Sequence, residues 1–216
     1  MSIIAETRFE DHFPVSVMIA HYKHVDDIND AVFEILRSLK KNYLTDKNEN
    51  EVLTGTVTTF GGYQTPTRVM FLNRSEQNIQ KLRDEMILPS VDIYLKKVSA
   101  DKNNEINIRL FSWANILAAG DWQAPHMHPT INNLASGVYY VRVPGRPSPE
   151  GCIEFLNPHP VAVHHGYSLT HRIQPTSGDL IMFPPYYLHY VYPFSGNEER
   201  AIVAFDVIMQ PKKSVF

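Results

Sequence analysis

The chain has 216 residues, 44% hydrophobic and 20% charged, which excludes a disordered, collagenous or coiled-coil protein and suggests a single domain spanning 1–216. Twenty Lys and Arg against 23 Asp and Glu leave a formal charge of −3. Without a basic surplus to neutralise phosphates, nucleic acid is not an expected partner.

The first hundred residues read as mixed. Asp26 or Asp27 is placed to cap a helix over residues 27–41. Ile28, Val32, Ile35, Leu36 and Leu39 form one apolar stripe at helical period, and Lys40 and Lys41 suit the negative end of the helix dipole. Residues 53–71, rich in Thr, Val and Phe around Gly61-Gly62, predict a hairpin or two short strands. A second helix is expected from Ser75 through Ile79, Leu82 and Met86, with Pro89 breaking it before Val91, Leu95 and Val98 resume the stripe.

From residue 108 the pattern turns to short β-rich runs at 108–117, 134–143, 152–156, 169–174, 179–183, 189–193 and 200–209. Gly120, Pro144-Gly145, Asn157-Pro158, Ser177-Gly178, Pro184-Pro185 and Ser195-Gly196-Asn197 punctuate them. Strands at this spacing without intervening helices indicate a sandwich, jelly roll or barrel. The expectation is a mainly β fold with a helical N-terminal part: a mixed cap over 1–107 and a β core over 108–210. The one cysteine, Cys152, can form no internal disulfide. With no secretory leader and no apolar run of about 18–20 residues, the expected location is cytoplasmic, away from membranes.

Histidine is the unusual count: of ten, seven lie between His126 and His189. In a strand, residues i and i+2 share a face, so His126 and His128 can offer two imidazoles to one ion. His189 follows a buried run closed by Pro184-Pro185, and Arg200 opens an otherwise apolar strand. An inward arginine needs a counter-charge, and a carboxylate ligand is the natural one. Asp121 reads as a turn residue, and His159, His164, His165 and His171 as loop or surface residues. Trp113 and Trp122 read as packing.

Taken in order, Trp113-x-Asn115, His126-x-His128-Pro129, Ser136-Gly137-Val138-Tyr139-Tyr140, Gly178-Asp179-Leu180-Ile181-Met182-Phe183, His189 and Arg200 resemble the Fe(II)- and 2-oxoglutarate-dependent oxygenases. More narrowly, they look like a small bacterial and phage group of that superfamily. The similarity runs from Trp113 to Asp206, with vaguer likeness at Phe13-Pro14 and Gly61-Gly62-Tyr63. It implies a double-stranded β-helix, a cupin-like jelly roll, with Fe(II), 2-oxoglutarate and O2 as cofactor and co-substrates and with release of succinate and CO2. By position His126, His128 and His189 would be the metal ligands, and Arg200 the partner of the distal carboxylate. Tyr140, and Asn115 at the other end, would contact the co-substrate. The family at large has a carboxylate where this chain has His128. Three neutral imidazoles leave a divalent site at +2, whereas two imidazoles and a carboxylate leave it at +1.

Two other readings stay open. A cupin-type three-histidine metalloprotein fits Gly120, His126 and His128, but Asn132 or Asn133 stands where its glutamate belongs. A non-enzymatic jelly-roll binding module explains the strands and not the histidines. A peptide or small-molecule substrate is expected, and the oligomeric state is left open, a homodimer being one option.

Overall fold

A computed structural model describes residues 15–45, 58–66, 70–99, 106–159 and 161–210. The Phe13-Pro14 segment and the first part of the 53–71 stretch lie outside these. In chain order the strands are β1 (Met18–His21), β2 (Thr59–Phe60), β3 (Tyr63–Gln64), β4 (Ile108–Leu117), β5 (Trp122–His126) and β6 (Asn133–Arg142). They continue as β7 (Ile153–Leu156), β8 (Thr170–Ile173), β9 (Asp179–Phe183), β10 (His189–Val191) and β11 (Arg200–Met209). Two sheets form, in the orders β1-β9-β6-β11-β4-β3 and β2-β5-β10-β7-β8, with antiparallel pairing throughout. This is the expected double-stranded β-helix carrying a helical N-terminal part. No helix among the described residues is long and apolar enough to cross a membrane.

The six-stranded sheet is buried on both faces, which is why β6, β9 and β11 read as nearly unbroken apolar runs. Alternation divides each strand between two cores. Tyr139, Leu180, Met182, Val203 and Phe205 face the helices, against Val32, Leu36, Leu82 and Tyr94. Val138, Tyr140, Ile181, Phe183, Ile202 and Ala204 face the five-stranded sheet, against Ile153, Phe155 and Val191.

The helical part departs from expectation in three places. Helix α1 (Asp26–Thr45) starts with both aspartates inside its first turn rather than capping it, where their charge still favours the dipole. It runs past Lys40 and Lys41, and the Tyr43 ring packs 5.5 Å from Tyr63 of β3, a tertiary contact that a periodicity argument cannot see. Pro89 breaks nothing. Helix α2 (Gln77–Lys81) passes through a π-helical turn, Leu82–Ile87, straight into α3 (Leu88–Val98), with Pro89 in the first turn of α3. The Leu88 N–H bonds the Arg83 carbonyl, five residues back, and this wider turn accommodates a ring that also lacks an N–H.

The Gly61-Gly62 segment is a turn, but not of a hairpin. β2 pairs with β5 in one sheet and β3 pairs with β4 in the other, so the two glycines carry the chain between sheets. Both have positive φ, and a Cβ on Gly62 would lie 2.7 Å from the Ile116 carbonyl oxygen. β1 was not anticipated; it covers the β9 edge, with His21 Nδ1 2.8 Å from Asp179 Oδ1.

Gly137 lies opposite Phe205 in the β6–β11 register, and a Cβ there would run into the Phe205 ring. Gly137→Ala should therefore destabilise by about 1–3 kcal/mol through overpacking, read as a lower urea midpoint with unchanged slope.

Candidate metal centre

β10 pairs with β5 so that His189 stands directly opposite His126. His126 is the last residue of β5, and His128 lies beyond the strand, so strand alternation does not place the second imidazole as the sequence suggested. His128 is held instead by its backbone N–H, bonded to the Pro185 carbonyl at 2.9 Å. The three rings nevertheless converge, with centroids 4.3, 5.3 and 5.6 Å apart. One ligand nitrogen from each lies within 4.8 Å of the others.

Each ring is oriented by an acceptor at Nδ1. His126 Nδ1 donates to the Ala124 carbonyl at 2.7 Å, and His189 Nδ1 to the Tyr187 carbonyl at 2.8 Å. His128 Nδ1 meets the Asp206 carboxylate at 2.8 Å. A carbonyl or carboxylate oxygen accepts only, so the proton sits on Nδ1 and leaves the Nε2 lone pair for a cation. Burial pushes the His126 and His189 pKa values down, His189 well down, where the other two imidazoles add to the effect. Both rings are thus neutral, ligand-competent bases at neutral pH. Phe155 and Phe183 pack around His189 and keep water out.

Deeper in the same face stands Arg200, 2% exposed. Its Nε and Nη1 have no hydrogen-bond partner, and no described carboxylate pairs with it. The surface alternative fails because Glu198 pairs with Arg146, and Glu199 with Lys40 and Arg37. The guanidinium carbon lies 5.2 Å from the Tyr140 ring centre, and the Tyr140 hydroxyl is likewise unpartnered. Burial pushes the Tyr140 hydroxyl up to about 12, against the opposing charge of Arg200, so it stays a donor. A buried guanidinium with no counter-charge costs several kcal/mol, on the order of a broken buried ion pair, and marks a site for an anion.

A cavity of about 20 Å³ links the groups, lined by Trp113, the three histidines, Tyr140 and Arg200 among others. Asn115 sits on the Trp113 face of β4, fully buried with both amide atoms unpartnered, but it does not line the cavity. Across from it on β3 is Gln64, whose Oε1 is also unpartnered. A groove of about 640 Å³ elsewhere, lined by Tyr94, Lys97 and Tyr186 among others, contains none of the histidines, so the chemistry belongs to the smaller cavity. Asp121 accepts from the Ala118 N–H at 2.7 Å and is a turn residue, as expected. His159, His164, His165 and His171 are exposed. Trp122 stacks on Phe60, 4.9 Å between ring centres, whereas Trp113 does more than pack and walls the cavity.

Two participants escaped the sequence reading. Asp206 is a lone acid in an apolar strand, of the same parity as Arg200, and that isolation was the signal. Gln64 gave none, because its importance comes only from pairing with β4.

Residues 111–206 match the family model described as "Putative 2OG-Fe(II) oxygenase", where 2OG is 2-oxoglutarate. Over that stretch, which runs from β4 to β11, the chain is similar to the 2OG-Fe(II) oxygenases. That family implies Fe(II), 2-oxoglutarate and O2, and the three-imidazole cluster has the nitrogens that could hold the metal. No curated protein sequence matches the chain. Among solved structures, a Pseudomonas putida prolyl-4-hydroxylase is similar at 12% identity, TM-score 0.58, covering 90% of this chain and 93% of its own. HygX from Streptomyces hygroscopicus, with nickel and 2-oxoglutarate bound, matches at 12% identity and TM-score 0.57, over 90% and 83%. A Trichoplax adhaerens prolyl hydroxylase, in complex with a hypoxia inducible factor peptide fragment, matches at 13% and TM-score 0.56, over 89% and 83%. At such identities these likenesses speak for the fold.

His126 and His189 bind protons more readily unfolded, near pKa 6.5, than folded. The unfolded state therefore gains protons first as pH drops below about 6.5, and metal-free stability should fall there. His189→Phe, which fills the site without titrating, should flatten that slope in urea melts across pH 5–7.

Proposed function

We propose that the protein is an Fe(II)- and 2-oxoglutarate-dependent dioxygenase that hydroxylates its substrate. The metal would be held by Nε2 of His126, His128 and His189. The distal carboxylate of 2-oxoglutarate would pair with Arg200 and accept from Tyr140. The observation that carries this reading is the buried, uncompensated Arg200 guanidinium sharing one cavity with three oriented imidazoles. A cupin-type centre leaves Arg200 without a role, and a binding module leaves both without one.

Bound at this site, Fe(II) with 2-oxoglutarate and O2 would supply the oxidising chemistry, which would put one oxygen atom into a substrate C–H bond and the other into succinate, with loss of CO2. The chain's part is to hold and orient. The Nδ1 acceptors fix the planes of the imidazoles, and the guanidinium fixes the far end of the diacid. Phe155, Phe183 and Ile202 exclude water from the reacting centre. Asn115, with Gln64 beside it, would meet the other end of the co-substrate once the cavity widens.

A cavity of 20 Å³ holds about one water, so a five-carbon diacid needs room made for it. Trp113 and Gln123 are, apart from the ligand candidate His126, the partly exposed residues of the lining, and among the described residues the Gln123 side chain has one hydrogen bond, of 3.3 Å, to Thr59. These two give way while Arg200 and Tyr140 stay fixed. Residues 1–216 act as one domain in this reading. HygX has also been solved with hygromycin B bound, and the Trichoplax enzyme with a peptide fragment, so small-molecule and peptide substrates are both open to this chain.

Arg200→Ala should weaken 2-oxoglutarate binding at least tenfold while leaving Fe(II) binding intact, measured by anaerobic titration of the weak visible charge-transfer band. Unchanged co-substrate affinity would exclude Arg200 from the site. In a Trp122→Phe background, the Trp113 emission should shift when 2-oxoglutarate joins the Fe(II) form; a silent indole would mean that the cavity opens elsewhere.

A further inference from the structure

Asp206 is 4% exposed, on the strand that also carries Arg200. Its Oδ1 receives His128 Nδ1–H at 2.8 Å and the Ser136 hydroxyl at 2.6 Å. Ser136 in turn accepts a long bond of 3.4 Å from Asn133. No lysine or arginine pairs with Asp206 among the described residues; its one ion-pair contact is His128. A carboxylate buried this way has no lysine or arginine beside it, and its two hydrogen bonds only lessen the cost of desolvation. The opposite imbalance would stand across the ring, where a divalent cation held by three imidazoles would have no anion among its ligands.

We propose that Asp206 supplies, through His128, the negative charge that the ligand set itself lacks. His128 and Asp206 together replace a ligand carboxylate, returning the centre from +2 to +1 while the ring, not the acid, touches the metal. Asp206 is a positioning and charge-setting residue rather than a ligand. Its hydrogen bond fixes the His128 plane, and its charge makes that imidazole a stronger donor than His126 or His189, whose Nδ1 groups face uncharged carbonyls. The strand alternation that aims Arg200 at the co-substrate aims Asp206 at the ligand cage. This inference rests on the three-histidine metal site proposed above.

The test compares the full-length wild type with Asp206→Asn and Ser136→Ala, without 2-oxoglutarate. Asn keeps an oxygen acceptor of the same reach and removes the charge. Fe(II) affinity should fall about 10- to 100-fold in Asp206→Asn, and the Fe(III)/Fe(II) midpoint potential should rise because the ferric state loses its nearest anion. Ser136→Ala, which removes a hydrogen bond and no charge, should leave the potential nearly unmoved. Equal affinity and potential in wild type and Asp206→Asn overturn the role of Asp206 alone, whereas a wild type that binds no Fe(II) overturns the metal site beneath it. Should Asp206→Asn fail to fold, 15N-edited spectra of the Zn(II)-loaded wild type decide. One imidazole Nδ1–H, that of His128, should resonate downfield of the other two because it donates to a charged acceptor, and three alike would refute the proposal.

Discussion

The register of β11 between β4 and β6 is the constraint on which the rest depends. Arg200, Ile202 and Ala204 line the cavity and Asp206, on the same face, backs His128, while Ala201, Val203, Phe205 and Val207 face the helices. Because the period is two, a slip of one residue would drive a guanidinium and a carboxylate into the helix-side core and turn Phe205 into the cavity. The slip is opposed from both sides. Gly137 admits the Phe205 ring only in this register, and each fully buried aromatic contributes about 1.5–3 kcal/mol to holding it. The hydrophobic pattern of one face thereby positions the charges of the other.

The histidines are placed by a different logic. His126 and His189 meet because β5 and β10 pair, but His128 has left the strand and is anchored from the Pro184-Pro185 loop. What unifies them is the acceptor behind each ring, a fixed tautomer with its free nitrogen turned toward the same point. Three elements of different kinds thus produce one donor set. The fold supplies proximity, and the Nδ1 acceptors supply direction.

Much of this was legible in the chain and part of it was not. The core strands could be read because turn residues delimit them, and Arg200 because a cation heading an apolar strand demands an explanation. The pairing of His126 with His128 was reached by strand alternation, although only His126 obeys it. A local rule named two rings that do lie together, but by a geometry that the chain does not use. Pro89 misled because proline's effect depends on the turn before it, and a π-helical turn is invisible to a 3.6-residue pattern. Gly61-Gly62 announced a turn without saying which sheets it would join. Gln64 and Asn115 face each other only across a pairing set by the whole barrel, and Asp206 was passed over as the end of a motif although its isolation matched that of Arg200.

The site is built at the expense of the fold's stability. One guanidinium and one carboxylate are buried without mutual pairing, two imidazoles are desolvated against their own protonation, and Tyr140, Asn115 and Gln64 leave polar atoms unbonded. Each is a cost that a hydrophobic residue of similar volume would not incur. Arg200 and Asp206 cannot relieve each other, since they lie six residues apart on one strand with Ile202 and Ala204 between them. Arg200 lines the cavity and Asp206 stands behind the lining residue His128, so the complementary ligand is positive near the histidines and negative near Arg200. A metal chelated by one end of a dicarboxylate has that polarity. Such a ligand binds the folded state alone, so occupancy and stability rise together. The empty pairings that weaken the fold are the same features that select what fills it.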